Sequence, residues 1–235
     1  MNSQRNLLLM ARIAIAAIIT YQVLLIVLIF LRPDLDPTWH SISEWAIGKY
    51  GWLMTAGFLI SGISYACLFA AIRKEVRGGV GKTGVALLLI CVIGTFGVCI
   101  FTTDPIQMLG NPTTRGMFHI IFGTTALILF PFAALIIAFN IAKRNATWAG
   151  AKRTLQLTAL IPLLGFLGFV IYTAIYVVPK GPNAYGPGVN IGLPPRFAFL
   201  TYMVWIIIIS SKFISVKSAA VNYTKEVAKN TVSVP

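Results

Sequence analysis

The chain has 235 residues, of which 57% are hydrophobic and only 11% charged. Soluble domains carry about 25% charged residues, so an ordinary soluble globule, a disordered chain and a disulfide scaffold are excluded in favour of a polytopic membrane protein. The net charge of +13 does not imply nucleic acid, because Lys and Arg sit in short segments between apolar runs, as topology signals do.

A membrane-crossing helix needs about 20 mostly apolar residues. The first such stretch covers residues 7–31, with Arg12 able to snorkel near its start. It is longer than the apolar core of a signal peptide, about 7–15 residues, and shows no small-residue cleavage site before Arg32. An uncleaved first helix is expected. The following loop carries Asp36-Pro37, a good helix start: Asp caps free amides and Pro suits the first turn. The spacing predicts a short interfacial helix from Pro37 to about Ile47. Trp39, Ile42, Trp45 and Ala46 would gather on a face for the headgroup boundary, and His40, Ser43 and Glu44 on a face over the bundle mouth.

The second stretch covers 51–72, with Gly62, Ala66 and Ala70 spaced for close helix packing. The third covers 84–101 and leads into Asp104-Pro105. The fourth covers 116–142, with Arg115 and His119 four residues apart and so on one helix face. The fifth covers 155–178. Pro162, Gly165 and Gly168 can bend it, and Tyr172 and Tyr176 read as interface anchors. A Gly- and Pro-rich loop then delivers Arg196 to the sixth stretch, 197–216, in which Lys212 shortens the apolar core. Residues 217–235 read as a polar tail that frays. The expected fold is therefore all-α, a six-span bundle over residues 1–216 plus that tail.

Fourteen of the 19 basic residues fall in the terminal segments and the loops after the second and fourth spans. The positive-inside rule then makes both termini cytoplasmic, in a multi-pass protein of the plasma membrane. Asn145-Ala-Thr and Asn222-Tyr-Thr match the glycosylation pattern but fall on this inner side, so modification is not expected. Cys67, Cys91 and Cys99 lie in apolar runs and read as free thiols. No charged residue or histidine falls near the middle of a span, which counts against ion-coupled transport.

Three outer loops thus bring His40, Ser43, Glu44, Asp104, Arg115, His119 and Arg196 to one face. His40, Glu44, Asp104 and His119 are candidates for acid–base catalysis, since carboxylate and imidazole can move protons. Ser43, Arg115 and Arg196 are candidates for ligand binding, the arginines because they can hold a lipid phosphate bidentately. Three readings stay open: a lipid or headgroup site, an enzyme acting on lipid or lipid-linked substrates, and a structural or accessory subunit in which these groups fasten loops. No cofactor is implied. The same groups can bind a metal, but no tight pattern such as H-E-x-x-H is present, and too few helical histidines face a span for haem. Membrane lipids are the expected partners; the residues indicate no protein partner.

H-S-I-S-E-W-A-I-G-K-Y-G-W-L-M (His40 to Met54), F-T-T-D-P (Phe101 to Pro105), T-R-G-M-F-H (Thr114 to His119) and G-L-P-P-R (Gly192 to Arg196) occur in this order. Together they resemble DUF998, a prokaryotic six-span family of unknown function, over about residues 10–215. The resemblance implies a six-helix integral membrane protein and supplies no reaction, substrate or cofactor. Many relatives carry an acidic residue just before the final Arg, where this chain has Pro195, so the resemblance provides no partner for Arg196. The family is also similar to the six-span Frag1/DRAM/Sfk1 group, associated with lipid and membrane organisation, an analogy of fold alone.

Overall fold

The computed structural model describes residues 2–232, with side chains except at residues 2, 3, 182, 183 and 221–232. Among the described residues there is no strand, and six helical stretches are long and apolar enough to cross a membrane. They are α1 (Asn2–Leu31), α2 (Gly51–Ile72), α3 (Gly78–Ile100), α4 (Thr114–Arg144), the broken pair α5 (Lys152–Thr158) and α6 (Leu160–Tyr172), and α7 (Leu193–Val232). Most of these run past the apolar stretches that define them in sequence. A helix keeps making backbone hydrogen bonds after it leaves the hydrocarbon, whereas hydropathy marks only the embedded part. The polar tail accordingly continues α7 to Val232 instead of fraying; residues 233–235 and the side chain of Asn222 lie outside the described residues.

Chain neighbours pack in order, α1 on α2, α2 on α3 and α3 on α4, while α6 contacts α4 and α7, and α7 returns to α1 to close the bundle. Close approach of α3 and α4 depends on Gly97, where an added Cβ would run into the Phe122 ring. The Gly62 position on α2 similarly faces Phe96 of α3, as expected for small residues at a helix interface.

Two prolines shape the spans. Pro162 has no N–H for the carbonyl of Thr158, and the fifth span breaks there, between α5 and α6. Pro131 lies inside α4 and deprives the Leu127 carbonyl of its helical donor. The Tyr202 hydroxyl of α7 donates to that carbonyl at 2.7 Å. A freed backbone group inside a membrane must be satisfied internally, so a tertiary contact makes the proline tolerable. Tyr202 also stacks on Phe130 at 4.8 Å, with Tyr65 and Trp205 against the same ring at 5.0 and 5.7 Å. These four aromatics form the centre of the core. Cys67, Cys91 and Cys99 are free thiols.

Candidate functional site

With six spans, both termini share one face with the α2–α3 and α4–α5 turns, and the three loops with the candidate residues occupy the opposite face. The first of these loops differs from the expected helix. Asp36 does start a turn, accepting from the Thr38 N–H at 2.8 Å and Thr38 Oγ1 at 2.7 Å. The chain then breaks at extended Ser41, and a 3-10 helix runs only over Ile42–Ala46. The predicted tryptophan face is corrected as well. Trp45 is 2% exposed and donates its indole N–H to the Leu28 carbonyl at 3.2 Å. It is part of the core and does not lie in the headgroup layer.

Most polar groups of this face fasten backbone. Arg32 forks onto Asp34 at 2.9 and 2.7 Å and donates to the carbonyls of Ile47 and Lys49 at 2.6 and 3.0 Å, tying the start of the loop to its end. That hydrogen bonding holds the Asp34 carboxyl below its usual range, as Thr38 does for Asp36. Glu44 is 4% exposed; it accepts from the Ser41 N–H at 2.7 Å and the Ile106 N–H at 2.9 Å, joining the first loop to the second. His40 is buried, stacks on Trp39 at 3.6 Å and has Nδ1 3.1 Å from the Asp36 carbonyl. Arg196 donates to the carbonyls of His40 and Gly192 at 2.7 and 2.8 Å and lies 4.6 Å from the Trp45 ring centre.

Asp104 organises the start of α4. Its carboxylate accepts from the Thr113 N–H at 2.7 Å and Thr113 Oγ1 at 2.9 Å, and Thr113 in turn accepts from the Gly116 N–H at 3.1 Å. Gly116 is required beside it, because a Cβ there would coincide with the carboxylate. One turn on, His119 is 5% exposed. Its Nδ1 is 2.8 Å from the Phe101 carbonyl, its Nε2 is 2.8 Å from Ser43 Oγ, and Phe58 packs edge-on at 5.9 Å. A carbonyl can only accept, so Nδ1 carries the proton. In the neutral ring Nε2 is left as acceptor, and the Ser43 hydroxyl donates to it.

Ser43, Asp104 and His119 line a cavity of about 320 Å³ to which all six spans contribute. The seven sequence candidates therefore do not converge as one group. His40 and Glu44 do not line this cavity. Arg196 lines a second, apolar cavity of about 360 Å³ between α1 and α7. Arg115 is on the His119 face of α4 as its spacing predicts, but it is exposed one turn above the buried ring and forms no ion pair among the described residues. Among the described residues no group of His, Cys, Asp and Glu is arranged to hold a metal.

Sequence reading missed the cavity's other polar groups. Tyr21, Ser61 and Tyr65 all line it, at 6%, 6% and 4% exposure. None of their hydroxyls has a hydrogen-bond partner among the described residues, unlike Ser64, which donates to the Ala14 carbonyl at 2.7 Å. A hydroxyl inside an apolar span reads as ordinary helix packing until the space beside it is known.

A closed six-helix bundle with an interior cavity beneath its loops defines an integral, multi-pass membrane protein. The chain matches the family described as "Protein of unknown function (DUF998)" over residues 14–212 and belongs to it. No curated protein and no solved structure matches it.

Proposed function

We propose that this protein binds an amphiphilic membrane molecule, a lipid or part of one, in the cavity beneath its three long loops. The basic segments of the terminal face make that face cytoplasmic in the plasma membrane, so the cavity belongs to the extracytoplasmic half. One observation carries the reading: a largely apolar space of about 320 Å³ is lined by Tyr21, Ser61 and Tyr65, whose hydroxyls have no hydrogen-bond partner among the described residues. Hydroxyls that open onto such a space without a protein partner are available to water or to a ligand. Ligand pockets run from about 300 to 1,000 Å³ and combine apolar walls with a few polar groups. This volume suits one acyl chain or a small amphiphile.

The lining also selects the polar end of the occupant. It includes Asp104 and no Lys or Arg. An anionic headgroup would meet a carboxylate there, so a hydroxyl, ester or amide fits better than a phosphate. Purified protein should retain a neutral or ester-bearing amphiphile through mild detergent, detected by native mass spectrometry. Ser61→Leu, which fills the space and removes a hydroxyl, should lower retention several-fold. Protein that keeps its thermal stability but carries no amphiphile, in wild type as in the variant, refutes the reading.

A further inference from the structure

We infer that Ser43 is an acyl-accepting nucleophile and His119 its general base, which makes the occupant of the cavity a carboxylic ester of the acyl-lipid class. This inference rests on the binding reading and goes beyond it. The Ser43 Oγ to His119 Nε2 distance of 2.8 Å lies within the 2.6–3.2 Å reach of a working nucleophile–base pair. The Phe101 carbonyl, 2.8 Å from Nδ1, fixes the tautomer that leaves Nε2 free to take the hydroxyl proton. Nucleophile, base and a third group orienting the base are the parts that acyl transfer needs on any fold.

Position separates this pair from the fasteners around it. Glu44 and Arg32 fasten loop backbone, and neither lines this cavity. Ser43 and His119 both line it, together with the unpartnered hydroxyls of Ser61 and Tyr65.

The step balances without oxidant or metal. Ser43 Oγ adds to the ester carbonyl carbon as its proton passes to His119 Nε2. The tetrahedral oxyanion collapses, the ester C–O bond breaks, and the departing alkoxide takes the proton from Nε2. The products are an alcohol and acyl-Ser43. Water or a second alcohol then adds to the acyl carbonyl, its proton goes to Nε2, and Ser43 Oγ leaves and recovers that proton. Hydrolysis consumes one water; transfer consumes one alcohol.

The test uses full-length protein in phosphatidylcholine nanodiscs and a long-chain alkyl fluorophosphonate, which phosphonylates an activated serine. Wild type should give one adduct, mapped to Ser43 by peptide mass spectrometry. Ser43→Ala should give none, and His119→Gln should slow labelling by about 100-fold, the low end of a general base's contribution. Retention of the co-purified amphiphile is measured on the same samples. Wild type that retains the amphiphile yet forms no Ser43 adduct overturns this inference and leaves the binding reading standing. Labelling at an equal rate in His119→Gln overturns the role of the histidine. Wild type that retains nothing and forms no adduct overturns both.

Discussion

Glu75 on the face carrying the termini and Glu44 on the opposite face are equally buried, at 4% exposure each. Their charges are met in different ways. Glu75 pairs with Lys217 Nζ at 2.6 Å, accepts from the Trp148 indole at 2.8 Å and lies 3.2 Å from Asn145 Nδ2. One carboxylate thereby joins the α2–α3 turn, the α4–α5 turn and Lys217 within α7. Nearby, Asn140 closes a two-bond ring with the backbone of Arg77 at 2.8 and 2.9 Å. Glu44 forms no ion pair among the described residues and is held by two backbone amides. The terminal face is thus an ionic lock between helix ends. The opposite face positions loops over a cavity mainly by hydrogen bonds to backbone, with one ion pair, Arg32–Asp34, whose Asp34 side chain is exposed; Ser43 and His119 line this cavity.

The largest expected effect lies on the lock. Glu75→Ala strands Lys217 in a mostly buried position, and removing one member of such a pair costs about 3–5 kcal/mol. A large fall in the melting temperature of detergent-solubilised protein should follow, with partial recovery in Glu75→Ala/Lys217→Met. If Glu75→Ala melts like wild type, the distinction between the two faces fails. A smaller effect is expected for Glu44→Gln. Its amide can accept one of the two loop N–H groups but sets an NH₂ against the other, and hydrogen bonds to a charged acceptor contribute about 1.5–3 kcal/mol. This variant should also reduce amphiphile retention, because both loops it joins border the cavity, whereas Glu75→Gln should leave retention unchanged in the fraction that stays folded.

The smallest effect is a pH dependence. The Arg32 hydrogen bonds lower the folded carboxyl of Asp34 below its unfolded value of about 3.9. The contribution is therefore complete above that value and disappears as pH falls through the lower folded one. The Asp34 side chain is 58% exposed, so solvent screening keeps the contribution small. Tryptophan fluorescence of the first loop should change below about pH 4 in wild type, and the change should vanish in Asp34→Asn. A transition that persists in Asp34→Asn assigns the titration to another group.

Much of the architecture was readable from the residues. The α2 bounds agree with the predicted second span, and Pro162 marked the break in the fifth. The first loop was read less well. Asp36 and Pro37 signal a helix start, but the chain restarts at Ser41 because Glu44 captures the Ser41 N–H, and a periodicity argument cannot see that competition. Asn145 shows the same limit on the other face. It matches a glycosylation pattern, yet it is 8% exposed and bound to Glu75, so its amide is occupied. The tie between Glu75 and Lys217 was not legible either, because the two are 142 positions apart and no spacing rule connects them.

By itself the sequence determined that the chain is a six-span helical bundle and which loops share a face. Apolar run length, charge placement and proline position act locally along the chain, and a bilayer turns them directly into helices and sidedness. Only the tertiary structure decided which polar side chains meet. It paired Ser43 with His119 across 76 positions, set Tyr202 to satisfy the carbonyl freed by Pro131, took Arg115 and Arg196 out of the central cavity, and left three hydroxyls facing it. Those outcomes depend on how helices cross and how loops fold back, and side chains within 3 Å of one another in space carry no shared signature in sequence.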